Sequence, residues 1–217
     1  RDLRMSRGLG DVYKRQIQKA LDYAIDNGSN SVQIKVVVPK GKYRIDKLLE
    51  IYSNTWLYLE DGATIVRNFD KGCMIKNAQA NGAGGYGSER NIVIEGGCWD
   101  GNPSPTSRPF SNMRFGHMKN LWIKNVEIKN NYNGHHVEIG GVKGITIEDC
   151  DFHGYTGTFQ KEAIQLDTIS NSDVFPAYEP FDDTPCDNAV IKNNKFHDLI
   201  RGLGSHSACL GVYYTNT

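Results

Sequence analysis

Past residue 33 the chain alternates apolar and polar positions in short runs, and the runs repeat. Residues 91–99 (NIVIEGGCW), 120–128 (NLWIKNVEI), 144–152 (GITIEDCDF) and 188–196 (NAVIKNNKF) align without gaps. A second set lies between them: 113–115 (MRF), 137–139 (VEI) and 164–166 (IQL), extended to 203–205 (LGS). Alternation with period two predicts short β-strands, and the intervening Asn, Asp and Gly predict tight turns. Ile94, Ile123, Ile147 and Ile191 share one column, and Trp99, Ile128, Phe152 and Phe196 share another. Asn125, Asp149 and Asn193 share a turn position, where Asn and Asp tolerate unusual backbone angles. One such unit cannot bury its own apolar face; stacked units can, with like positions touching along an axis. β-Branched residues dominate and no leucine-rich consensus is present. The fold class expected is therefore all-β, a single-stranded right-handed parallel β-helix.

Further strands are expected near residues 33–39, 42–45, 49–51, 56–60 and 64–66. Before them, Ile17, Ala20, Leu21, Ala24 and Ile25 form a helical stripe, and Gly28 supplies a stop. Residues 17–28 are thus expected to be a helix capping the first coil, with coils over 29–217 and an inserted loop over about 167–187. Residues 1–16 (RDLRMSRGLGDVYKRQ) show no apolar periodicity, and DVYKRQ reads as the translation of a sequencing adapter. They are expected to be an appended, non-native segment. The chain stops inside what looks like a new strand, so it is expected to be a fragment lacking further coils.

Composition narrows the function classes. In 217 residues, 25 Lys and Arg balance 25 Asp and Glu, which argues against a nucleic-acid partner. No apolar run is long enough to span a membrane. The five cysteines form no CxxC pair, so they are expected to be small core residues, and nothing in the sequence supports a Cys98–Cys150 bridge. Gly82–Gly87 fits a G-x-G-x-x-G spacing, but it lacks the flanking strand and helix of a nucleotide site and reads as a turn.

Alternation also nominates a site. With Val137 and Ile139 inward, His136 and Glu138 face outward; so do Arg114 one coil before and Gln165 and Asp167 one coil after. His206 follows in the last coil. Coils are spaced by about 4.8 Å, so these groups would form one polar ladder. Glu138 and Asp167, offset by two residues, would sit roughly 7–8 Å apart. Inverting hydrolysis wants two carboxyl groups about 6.5–9.5 Å apart. A lyase or epimerase wants a base and a cation beside a uronate, roles open to His136, His206 and Arg114. His135, Gln165, and Tyr178 and Phe181 of the inserted loop would contact the sugar. The plainer reading is a solvated ladder, with the loop as a cover. His117, His153 and His197 align with no second polar group. No resident cofactor is expected; the one carboxylate group that would hold calcium is Asp167 with Asp182 and Asp183.

The stretches IQKALDYAIDNGSNS, VVVPKGKYRI and LLEIYSNTWLYLEDGATIVRN resemble the start of the pectate-lyase-like β-helix domain, and the likeness runs from Ile17 to Thr217. The resemblance implies a secreted or cell-surface bacterial protein, a monomer, with a polysaccharide as partner. It implies a polysaccharide lyase or glycoside hydrolase, with a uronan epimerase or a non-catalytic glycan-binding or adhesion protein as alternatives. NGHHVEI (133–139) resembles the His-Glu segment of uronan epimerases. The Asn-Thr-Asp, Asp-Asp and Gly-His-Gly series of polygalacturonases is absent in that order, and Asp182-Asp183 falls in the inserted loop. Fold alone does not choose among these reactions.

Overall fold

The computed structural model describes residues 2–4, 12–79, 82–104, 107–176 and 178–216, with side chains from residue 16 onward. All pairings between named strands are parallel, and each strand meets the strand one coil away. The chain winds as a right-handed parallel β-helix with three faces. The front face carries Leu49–Ile51, Ile75–Asn77, residues 113–116, residues 137–140, Glu162–Asp167 and Arg201–Gly204. The side face carries Ile34–Val38, Thr55–Leu59, Arg90–Glu95, residues 119–124 and 143–148, Asp187–Lys192 and Leu210–Thr215. The rear face is a separate sheet of Gly41–Ile45, Ala63–Arg67, Cys98–Asp100, Glu127–Tyr132, Asp151–Thr156 and Lys195–His197.

The columns read from the sequence become physical stacks. Ile123 is in register with Ile94 and Ile147, and Ile147 with Ile191. All four are fully buried. On the rear face Trp99, Ile128, Phe152 and Phe196 are in register, and the two Phe rings stack at 5.1 Å. Each inward side chain meets its counterpart above and below, so every coil supplies the other half of its neighbour's core. Asn125, Asp149 and Asn193 turn the side-to-rear corner at φ of 54°, 55° and 56°. The long strands Met113–Lys124 and Val137–Glu148 bend from front to side at His117 (φ 51°) and Gly141 (φ 56°).

Three readings are revised: where the helix begins, the burial of Ile25 and the Cys98–Cys150 pairing. The helix spans Val12–Asn27, beginning inside the segment read as appended, and Asp2–Arg4 pairs with residues 35–37. Residues 1 and 5–11 of that segment lie outside the described residues. Ile17, Leu21 and Ala24 are buried as expected, but Ile25 is 55% exposed, because it lies off the side of the helix that meets the first coil. Cys98 and Cys150 are both free. Cys98 is in register with Glu127, which is in register with Asp151, so two coil spacings, about 9.6 Å, separate it from the coil of Cys150. That is too far for a disulfide.

Candidate functional site

The outward groups of the front face do line up. Arg114, Glu138, Gln165 and Gly204 are in register across four coils. Arg114, Glu138 and Gln165 line a cleft of about 410 Å³. Its walls come from Pro109, Phe110 and Ser111 on one side, His135, Phe159 and Lys161 on a second, and Asp173, Val174, Pro176 and His206 on a third.

At its centre Glu138 accepts three hydrogen bonds on Oε2. Arg114 donates from Nε at 2.8 Å and Nη2 at 2.7 Å, and Ser111 from Oγ at 2.7 Å. Both charged groups are largely withdrawn from solvent. Burial alone would favour the neutral form of Arg114, but the adjacent Glu138 carboxylate outweighs it and raises the pKa. The guanidinium therefore stays charged throughout the useful pH range. Gly134 positions His135: a Cβ there would lie 2.1 Å from the Phe110 carbonyl oxygen. His135 Nδ1 donates to the Glu162 carbonyl at 2.8 Å, because a carbonyl can only accept. That makes Nε2 the basic nitrogen of a neutral ring. Burial lowers its pKa, ahead of the opposing effect of Glu138.

The remaining nominated residues lie elsewhere. His136 is fully buried. The strand starts only at Val137, and in the bend before it strict alternation does not hold. The ring turns inward, edge-on to Phe152 at 6.2 Å, and Nε2 donates to the His153 carbonyl at 2.9 Å. Burial pushes its pKa down to about 4. Asp167 is also fully buried. Its Oδ1 accepts from the His206 backbone N–H at 2.8 Å and from Ser207 Oγ at 3.2 Å, and Gln165 donates to Oδ2. Asp167 is thus the internal anchor of the 205–207 turn and is not among the residues lining the cleft. His206 remains at the cleft, its ring half exposed, with Nδ1 accepting from Gln165 Nε2 at 2.8 Å.

The inserted loop covers the front face instead of presenting its rings. Ile169, Phe175 and Tyr178 form a fully buried mini-core, with Phe181 half-buried against it. Its seats are Gly116 and Gly140. A Cβ at Gly116 would lie 2.6 Å from the Tyr178 ring, and one at Gly140 would lie 2.9 Å from Ile169 and Phe175. Tyr178 Oη donates to Asn77 Oδ1 at 2.9 Å. Tyr178 and Phe181 are therefore loop anchors, not sugar contacts. His117 ties this loop to the 82–87 turn, with Nδ1 2.8 Å from the Gly85 carbonyl and Nε2 2.9 Å from the Pro180 carbonyl. Asp182 accepts from Gly85 N–H and Thr184 Oγ1, each at 2.6 Å. Asp167, Asp182 and Asp183 do not converge on a common point among the described residues. Sequence reasoning missed Ser111, Phe159 and Lys161, which flank strands outside the repeat columns and carry no periodic signal.

No established family pattern matches the chain. Plasmin and fibronectin-binding protein A of Streptococcus pneumoniae is 26% identical over 237 residues, covering 92% of this chain and 32% of that protein. The solved structure of the S. pneumoniae surface protein and adhesin PfbA superposes with a TM-score of 0.82 at 21% identity, over 100% of this chain and 61% of that one. The chain shares this fold. A putative glycosyl hydrolase from Parabacteroides merdae superposes with a TM-score of 0.68 at 16% identity, over 99% of this chain and 96% of that one. The chain thus spans about a third of the curated relative it matches.

Proposed function

We propose that this chain is part of a cell-surface β-helix adhesin that binds glycan chains, such as those on host glycoproteins, in the Arg114–Glu138 cleft without cleaving them. The observation that carries this reading is the state of the carboxylates. Asp167 is buried and spoken for by the 205–207 turn. Glu138 is matched to Arg114 and Ser111. On the front-face ladder Gln165 and Gly204 continue from Glu138, and the other carboxylate among the described lining residues, Asp173, is exposed on the inserted loop and not on the ladder. What the cleft offers is recognition: a guanidinium, a neutral imidazole, Lys161, and the ring of Phe159, which is 51% exposed. Such a ring suits the apolar face of a sugar, and the polar groups suit its hydroxyls and carboxylates. The likeness to a surface adhesin, a plasmin and fibronectin-binding protein, supports the same reading.

The test is to incubate the chain with acidic and neutral polysaccharides and with a printed glycan array. Absorbance of unsaturated uronates and reducing ends are followed alongside retention. Retention without product is expected, weakened about tenfold or more by Phe159→Ala or Lys161→Ala, the loss of roughly one good contact. Product formation overturns the reading. Unsaturated product would assign a lyase with His135 as base, and reducing ends alone would assign a hydrolase.

A further inference from the structure

The rear face, on a different sheet from the cleft, carries a second polar cluster that binding of a glycan does not use. His153 and His197 are in register on neighbouring coils, and their rings stack at 4.6 Å with only 10° between planes. Each presents Nε2 to a carboxylate of the preceding coil. His153 Nε2 lies 2.9 Å from Glu127 Oε1, and His197 Nε2 lies 2.9 Å from Asp151 Oδ1. On its other side, His197 Nδ1 lies 3.0 Å from Asp198 Oδ2. One donor atom from each of Asp151, His153 and His197 falls within 4.8 Å of the others.

We propose that Asp151, His153 and His197 form a binding site for a divalent transition-metal ion of the zinc type, clamping two successive coils on the rear face. The donor set decides the class of ion. Two imidazole nitrogens with one carboxylate suit zinc, copper or nickel, whereas calcium and magnesium prefer oxygen alone. Ligands on a tetrahedral zinc stand about 3.3 Å apart, given bonds of about 2.0–2.1 Å. His197 Nε2 and Asp151 Oδ1 are already 2.9 Å apart and the His153 donor lies within 4.8 Å of both, so small side-chain rotations reach the tetrahedral spacing, and there is room for them: the side chain of His197 is 49% exposed and that of Asp151 is 38% exposed. Asp198 plays the outer carboxylate that orients a metal-bound histidine. It holds Nδ1–H, so Nε2 faces the ion. Binding replaces the proton shared between His197 Nε2 and Asp151 with the metal, and that proton leaves to solvent; the hydrogen that His153 Nε2 shares with Glu127 likewise leaves that nitrogen, for Nδ1 or for solvent, so that Nε2 can ligate. Glu127, now paired with His153 and Lys129, offers a further oxygen ligand; a water fills the fourth position otherwise.

The experiment uses the untagged full chain and zinc chloride alone. Calorimetry should give one saturable site per chain, and zinc should raise the thermal midpoint. Cobalt substitution should give the visible bands of a tetrahedral site. His153→Ala and His197→Ala should each weaken binding about tenfold or more and abolish the thermal shift, and Asp151→Asn should weaken it as well. His206→Ala, at the distant cleft, should leave binding unchanged. Circular dichroism of each variant in the absence of metal checks that it remains folded. Absence of saturable binding, or binding that survives both histidine variants, would overturn the proposal.

Discussion

At the residue scale, buried titratable groups set the chemistry more than the exposed ones do. His136 is neutral in the core, with a pKa near 4 against 6.5 for a free histidine. Because the folded value lies below the unfolded one, the unfolded chain takes up the proton first as pH falls. This group's contribution is complete above about pH 6.5 and is lost progressively down to about pH 4, on the order of 3 kcal/mol. Buried His135 acts in the same direction. Denaturant titrations from pH 7 to 4 should therefore show a steeper loss in the parent chain than in His136→Gln, which keeps a donor but does not titrate. Equal slopes would mean that His136 is protonated in the fold. Cys209 is the other unusual residue. A hydrogen bond from Cys186, opposed by burial and helped by Ser205, brings its pKa down to about 7. The Cys186 thiol is pushed well up by burial, and those of Cys73, Cys98 and Cys150 are raised by it too. Brief iodoacetamide treatment at pH 7 should label Cys209 ahead of the other four, as read by peptide mass spectrometry.

At the element scale, the inserted loop is a clasp and not a lid of free aromatic rings. Its seats are the missing side chains of Gly116 and Gly140, and its second fastening is His117. Gly116→Ala should unseat Tyr178 while leaving the coils wound. Limited proteolysis should then cut within residues 168–186 much faster than in the parent, with the far-ultraviolet spectrum unchanged. An uncut loop would mean that the Tyr178 ring can slide aside. None of this was visible to period-two reasoning, which treats Gly116 and Gly140 as weak strand positions. Within the strands the alternation identifies outward positions, but it fails at His136, which precedes its strand, and it cannot tell open solvent from a surface on which another part of the chain lies.

At the scale of the whole molecule, stability is shared along the stacks. Ile147 is fully buried and in register with Ile123 on one side and Ile191 on the other. Ile147→Ala should cost about 2–5 kcal/mol, because two neighbouring coils lose contacts along with its own. Hydrogen exchange should report faster opening in residues 119–124 and 187–192 as well as at the substitution. An effect confined to the substituted coil would argue that the coils are energetically independent.

The amino-acid sequence by itself determined the winding. The isoleucine and aromatic columns, the corner Asn and Asp residues and the buried helix stripe all depend on local periodicity and backbone preference, which one strand and its turn already express. It also determined which residues share the front-face ladder, because register follows from the columns. Only the tertiary structure decided what those residues can do. His136 turns inward because it precedes its strand, Asp167 is consumed by a turn from the next coil, and Tyr178 is buried by glycines far away in the chain. His153 and His197, unremarkable as letters, meet carboxylates contributed by the coil before. Burial, partners and charge state arise from segments brought together by winding, and the alternation of a single strand carries no record of them.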